Sequence, residues 1–153
     1  MTSKNSFKLI RFNGTEEYSF KNGTIEFYEK DNKKYLGFRI KTDKCLSFLL
    51  DTKEQKQLPK YSVEIEVEDY GKLVSGAEFE LENSYNDKTE KYYSNLYYFE
   101  HQEVNKNKIR ILDAKEGGYL VRITGETIDI NHYDGSKPFA KIEIIGYFEK
   151  LNK

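Results

Sequence analysis

Tryptophan is absent from this 153-residue chain, which holds one cysteine, one methionine and two prolines. A single thiol, Cys45, cannot close an intrachain disulfide; this excludes a disulfide-stapled scaffold and suits a reducing compartment. No apolar run comes near the roughly 18 residues that carry a helix across a bilayer, and mean hydropathy is −0.82. The opening segment, Met1 to Phe7, has no apolar signal core, so the expectation is a cytoplasmic protein without a membrane role. Catalytic signatures are missing as well. There is no Gly-x-Ser-x-Gly elbow, no phosphate-cradling glycine loop, and no Cys or His pair at zinc spacing. No cofactor and no metal are expected. His101 and His132 stand far apart, so a nucleophilic Cys45 would need the fold to bring one of them beside it. A small apolar thiol in or beside a strand is the simpler expectation.

Leu, Ile, Val and Phe supply 39 residues, about a quarter of the chain and enough to build a core. The length suits one domain over residues 1–153. Alanine is scarce, with three residues, while tyrosine numbers 13 and lysine 21. Lys, Asn, Ile, Tyr and Phe have A/T-rich codons, so part of the lysine excess is read as mutational bias. Net charge is −1 but uneven. Residues 1–60 carry 13 basic and 8 acidic side chains, residues 61–103 carry 3 and 11, and residues 104–153 carry 9 and 7. The near-neutral total argues against a dedicated nucleic-acid binder.

The hydrophobic period is two. In Tyr61 to Asp69, Val63, Ile65 and Val67 alternate with Glu64, Glu66 and Glu68, the pattern of a strand with one face in water. Leu73, Ser75, Ala77, Phe79 and Leu81 repeat it against Glu78, Glu80 and Glu82. Matching faces predicts a hairpin of 62–68 with 72–81, turning at Asp69-Tyr70-Gly71, with Val67 opposite Leu73 and Gly71 left-handed. Asn13-Gly14 and Asn22-Gly23 predict two more hairpins, with Leu9 opposite Tyr18 and Phe20 opposite Ile25. Both also fit the glycosylation pattern, but turns are the simpler reading. With Tyr35–Lys41 following Asp31-Asn32, the first forty residues read as a four-stranded meander. A short helix is expected at 51–58, before Pro59. Further strands are expected at 91–101, 107–113, 118–130 and 139–149. Gly125, where the apolar phase shifts from Val121 and Ile123 to Ile128 and Ile130, predicts a bulge or a bend between sheets.

These elements predict an all-β, antiparallel β-sandwich of about ten strands with one connecting helix; a lipocalin-like meander barrel is the alternative. Three features are candidate recognition sites. The first is the acidic ladder Glu64, Glu66, Glu68, Glu78, Glu80 and Glu82 on one hairpin face, either solvated and lysine-paired or a surface for a basic protein partner. The second is the strand 91–101, where Tyr93 and Tyr97 share a side with Asn95. The third is the polar connection 131–138, with His132, Tyr133 and Asp134; it resembles a calcium loop but lacks the required ligands and glycine.

The function expected is therefore non-enzymatic protein binding, with a bacterial immunity protein that covers a toxin as the concrete version. A carrier of a small apolar or aromatic ligand is the second reading. A hydrolase built on a carboxylate pair is the third.

Overall fold

The computed structural model describes residues 5–11, 14–47, 58–98, 100–128 and 139–151. Fourteen strands lie among them. They are β1 (Ser6–Arg11), β2 (Gly14–Ser19), β3 (Gly23–Lys30), β4 (Lys33–Lys41), β5 (Lys44–Ser47), β6 (Lys60–Val67), β7 (Glu78–Leu81), β8 (Tyr85–Asn86), β9 (Lys91–Tyr92), β10 (Ser94–Tyr98), β11 (Glu100–Glu103), β12 (Asn105–Lys115), β13 (Gly118–Ile128) and β14 (Phe139–Lys150). The chain is all-β, as its period-two pattern predicts. Twelve strands join one mixed sheet, and β8 and β9 form a small second one.

The large sheet has two arms that meet at β14. One arm runs β3-β4-β6-β10-β11. The other contains β7-β12-β13, and β1-β2-β5 continue from β14 on its opposite side. β14 pairs antiparallel with β13 along its length and with β1 over Lys141 to Ile145, then parallel with β3 at Phe148 to Lys150. Among the described residues this path does not close into a barrel. Both arms contribute to one core. Phe38, Val63 and Leu96 from the first are fully buried with Ile109, Val121 and Ile144 from the second. A polar pin joins the arms: the Tyr61 hydroxyl donates to Asn107 Oδ1 at 2.6 Å, and Ser94 Oγ donates to the same oxygen at 2.9 Å. Asn107 Nδ2 donates to the carbonyls of Val104 at 2.8 Å and Leu81 at 3.2 Å, so this buried amide is satisfied on both sides.

The N-terminal meander is corrected. The turn at Asp31-Asn32 is as expected: both residues have positive φ, and β3 pairs with β4 with Ile25 opposite Phe38. The hairpin of β1 and β2 exists, but with Leu9 opposite Glu16 and Phe7 opposite Tyr18, two residues from the predicted register. The Asn22-Gly23 hairpin does not form. β14 takes the place beside β3, and the Phe148 ring lies 2.4 Å from where a Cβ on Gly23 would stand. Gly23 is required for this close approach rather than for a turn.

The acidic hairpin is also corrected. β6 lies between β4 and β10, while β7 pairs with β12 in the other arm. Asp69-Tyr70-Gly71 opens a 3-10 turn, Tyr70–Lys72, capped by the Asp69 carboxylate accepting from the Gly71 N–H at 2.9 Å. Gly71 is not among the residues with positive φ. Face alternation survives in β6: Val63, Ile65 and Val67 are buried.

Two further expectations change. Gly125 makes no bend, since β13 keeps one continuous register with β14 from Gly118–Glu149 to Ile128–Phe139. Gly125 is buried instead under Val104, whose Cγ1 lies 2.6 Å from the position of a Cβ. An irregularity does lie at Gly125 on its other side, where the pairing with β12 steps from Asn105–Glu126 to Lys108–Thr124; a second falls between Ile111 and Asp113. The segment 91–101 is three strands, β9, β10 and β11, not one. The predicted helix falls on residues 51–58, of which only Leu58 is described, and it lies outside any helix.

Candidate functional site

Strand pairing puts the outward side chains of the β3–β11 arm into rows. One row is Lys41, Lys60 and Tyr97, directly opposite each other on β4, β6 and β10. The next is Thr24, Arg39, Ser62, Asn95 and Glu103, running across all five strands. Their strand neighbours Ile40, Tyr61 and Leu96 point into the core, so both rows face outward. These rows line a groove of about 1170 Å³, to which Asn22, Ile40, Tyr61, Tyr92 and Gln102 also contribute.

The groove is cationic at one end. Lys60 Nζ lies 6.0 Å from the centre of the Tyr97 ring, within cation–π reach. Lys41 and Lys60 form no ion pair among the described residues. Two other like-charge pairs face each other across strands, Lys30 with Lys33 and Arg110 with Arg122. In each of these one member has a carboxylate, Glu66 at 3.7 Å for Lys33 and Glu143 at 2.8 Å for Arg122. Like charges directly opposite each other are destabilising in a sheet, and of these three pairs Lys41–Lys60 is the one with no carboxylate against it among the described residues.

Further along the same face the chemistry reverses. Glu64 is half-buried and takes two hydrogen bonds on one oxygen, from the Tyr28 hydroxyl at 2.8 Å and from Lys91 Nζ at 2.7 Å. Arg39 Nη2 stands 4.0 Å from its other oxygen. Tyr28 stacks on Tyr35 with ring centres 5.2 Å apart. Burial, and then the Glu64 carboxylate, pushes the Tyr28 phenol well above its ordinary range. The face therefore runs from cations to a held carboxylate along the strand direction.

The six glutamates do not form one acidic surface. Glu64 is neutralised as described, Glu66 pairs with Lys33 at 3.7 Å, and Glu68 pairs with Lys72 at 2.9 Å. Lys72 holds the Glu68 carboxyl below its usual range. On the other arm Glu80 pairs with Lys108 at 3.8 Å, and Glu78 stands opposite Arg110. Glu82 is exposed beyond the end of β7. Basic side chains thus stand within ion-pair distance of four of the six, Glu64, Glu66, Glu68 and Glu80.

Tyr97 lines the groove; Tyr93 lies just beyond it, with Lys91 Nζ 5.1 Å from its ring and its hydroxyl donating to Thr89 at 3.0 Å. Cys45 lies on β5, opposite Tyr18. His132, Tyr133 and Asp134 lie outside the described residues. Among the described residues no group of three or more His, Cys, Asp or Glu side chains could hold a metal ion. Arg39, Lys41, Lys60 and Asn95 carried no signal in the sequence, because each sits at an ordinary outward position of a strand. Only their pairing brings them together. Comparison with family models, curated proteins and solved structures yields no match to this chain.

Proposed function

We propose that the protein is a non-catalytic protein-binding module whose recognition surface is the groove on the outer face of β4, β6 and β10. The observation that supports this is the Lys41–Lys60 pair. It sits without a carboxylate among the described residues, beside Tyr97, in a concavity of about 1170 Å³. Like charges that stand opposite each other and line a groove fit a binding role better than a structural one. The immunity-protein version of this class, with cytoplasmic residence, is kept as its concrete form, but with the groove in place of an acidic hairpin. No described helix is long and apolar enough to cross a membrane. The carrier reading draws less support, because the groove lies outside the sheet and the core beneath it holds fully buried side chains such as Phe38 and Val63. A carboxylate hydrolase needs a pair of carboxyl groups, and Glu103 is the one carboxylate among the residues that line the groove.

The test is site-specific photocrosslinking in extract of the source cell. A photoreactive residue replaces Ser62 in the groove, or the exposed Leu112 on the other arm as the control. The reading expects a discrete protein adduct from position 62 alone, suppressed by excess wild-type protein. Equal adducts from both positions, or none from position 62, contradict it.

A further inference from the structure

We infer that the cationic end of this groove receives an acidic stretch of polypeptide in extended form. Its carboxylates would sit on Lys41, Lys60 and Arg39. This rests on the reading of the groove as the recognition surface and names its occupant.

The groove's charge is complementary to such a segment. The lining carries three cations, Arg39, Lys41 and Lys60, against one carboxylate, Glu103. Lys41 and Lys60 have no ion pair to break among the described residues, and Arg39 has only the 4.0 Å contact with Glu64. An incoming carboxylate between the two ammonium groups would relieve their repulsion.

Its shape also fits an extended chain. The second row crosses five strands from Thr24 to Glu103. At about 4.8 Å per strand that is roughly 19 Å, the reach of about six extended residues. A lone phosphate or carboxylate would leave most of this length empty. The floor of Thr24, Ser62 and Asn95 offers hydroxyl and amide partners for a peptide backbone, and Tyr97 offers a ring for a side chain.

Glu103 separates a peptide from a nucleic acid. It stands in the same row as Arg39 and Asn95, at the β11 end of the groove. A phosphodiester strand carries a charge at every unit and would meet this carboxylate wherever it crossed. A polypeptide can place a neutral or basic residue there.

The test is fluorescence anisotropy with the full chain and two labelled probes, a glutamate-rich peptide containing tyrosine and an oligothymidylate. Three proteins are compared: wild type, the double variant Lys41→Glu/Lys60→Glu, and the equally charged control Lys88→Glu/Lys115→Glu. Thermal melts verify that each is folded. The expected result is peptide binding by wild type and control, weakened about tenfold or more in the groove variant, with the difference shrinking as salt rises. Tighter binding of oligothymidylate, equal loss in the control, or no peptide binding by wild type would each overturn the proposal. Adducts from position 62 without peptide binding would leave the groove standing and reject only the acidic occupant. Absence of adducts rejects both.

Discussion

Lys41 and Lys60 stand directly opposite each other on β4 and β6, with both side chains on the outer face and neither in an ion pair with a described residue. Replacing one charge should therefore help the fold. Lys41→Gln is expected to raise stability by about 0.2–0.5 kcal/mol at low salt, with the gain fading as salt screens the pair. Urea unfolding at two ionic strengths measures it. A loss of stability at low salt would show that the pair does not repel in the folded chain.

The Asn107 pin carries a larger cost. Asn107→Ala would strip partners from the buried Tyr61 and Ser94 hydroxyls and from the carbonyls of Leu81 and Val104. The expected loss is about 3 kcal/mol or more, because buried polar groups are left unmade. Tyr61→Phe removes one donor while Ser94 still serves the same oxygen, and should cost about 1 kcal/mol. Similar losses from both variants would contradict the pin.

Two glycines on the neighbouring strands β3 and β4 should behave differently. Gly23→Ala places a methyl into the Phe148 ring, 2.4 Å from the Cβ position, and should cost about 1–3 kcal/mol through overpacking. At Gly37 the nearest atom, Glu64 Cγ, is 3.8 Å away, an ordinary contact. Gly37→Ala should be neutral or stabilising by up to about 1 kcal/mol. Denaturation midpoints decide it, and equal losses would contradict the β3–β14 pairing at Gly23.

Alkaline titration provides another check. Burial raises the phenols of Tyr61 and Tyr28 above their ordinary value, and Glu64 adds to the shift at Tyr28. A phenol raised in the folded state stabilises the fold fully below its unfolded value of about 10, and that contribution is lost as pH rises further. Absorbance near 295 nm should therefore show these two tyrosines ionising late, together with unfolding. Glu64→Gln should bring Tyr28 earlier and leave Tyr61 in place. Normal titration of every tyrosine in folded protein would contradict the burial of both.

The faces of the strands were legible in the sequence, but their neighbours were not. Alternation in 61–67 correctly placed Val63, Ile65 and Val67 inside, and Asp31-Asn32 marked a true turn. Period two says which side of a strand is buried, not which strand lies beside it. That is why β14 could enter next to β3 without any local signal, and why β6 and β7 were joined across a turn that is a 3-10 segment. The register of β1 and β2 was misread because it buries Glu16 opposite Leu9, where Tyr18 donates to its carboxylate at 2.9 Å. Tyr97 was legible as a candidate because aromatics crowd its segment. Its groove partners Arg39, Lys41, Lys60 and Ser62 are distant in sequence and polar in a lysine-rich chain, so only the strand order reveals them.

Recognition by the groove is measured most directly by an amide chemical-shift map of the protein titrated with the glutamate-rich peptide. The shifts are expected to concentrate on Arg39 to Lys41, Lys60 to Ser62 and Asn95 to Tyr97, the segments that line the groove. Residues 78–82 and 108–112 on the other arm should stay still. Shifts concentrated on those residues, or spread evenly over the lysines of the surface, would contradict a recognition groove on β4, β6 and β10.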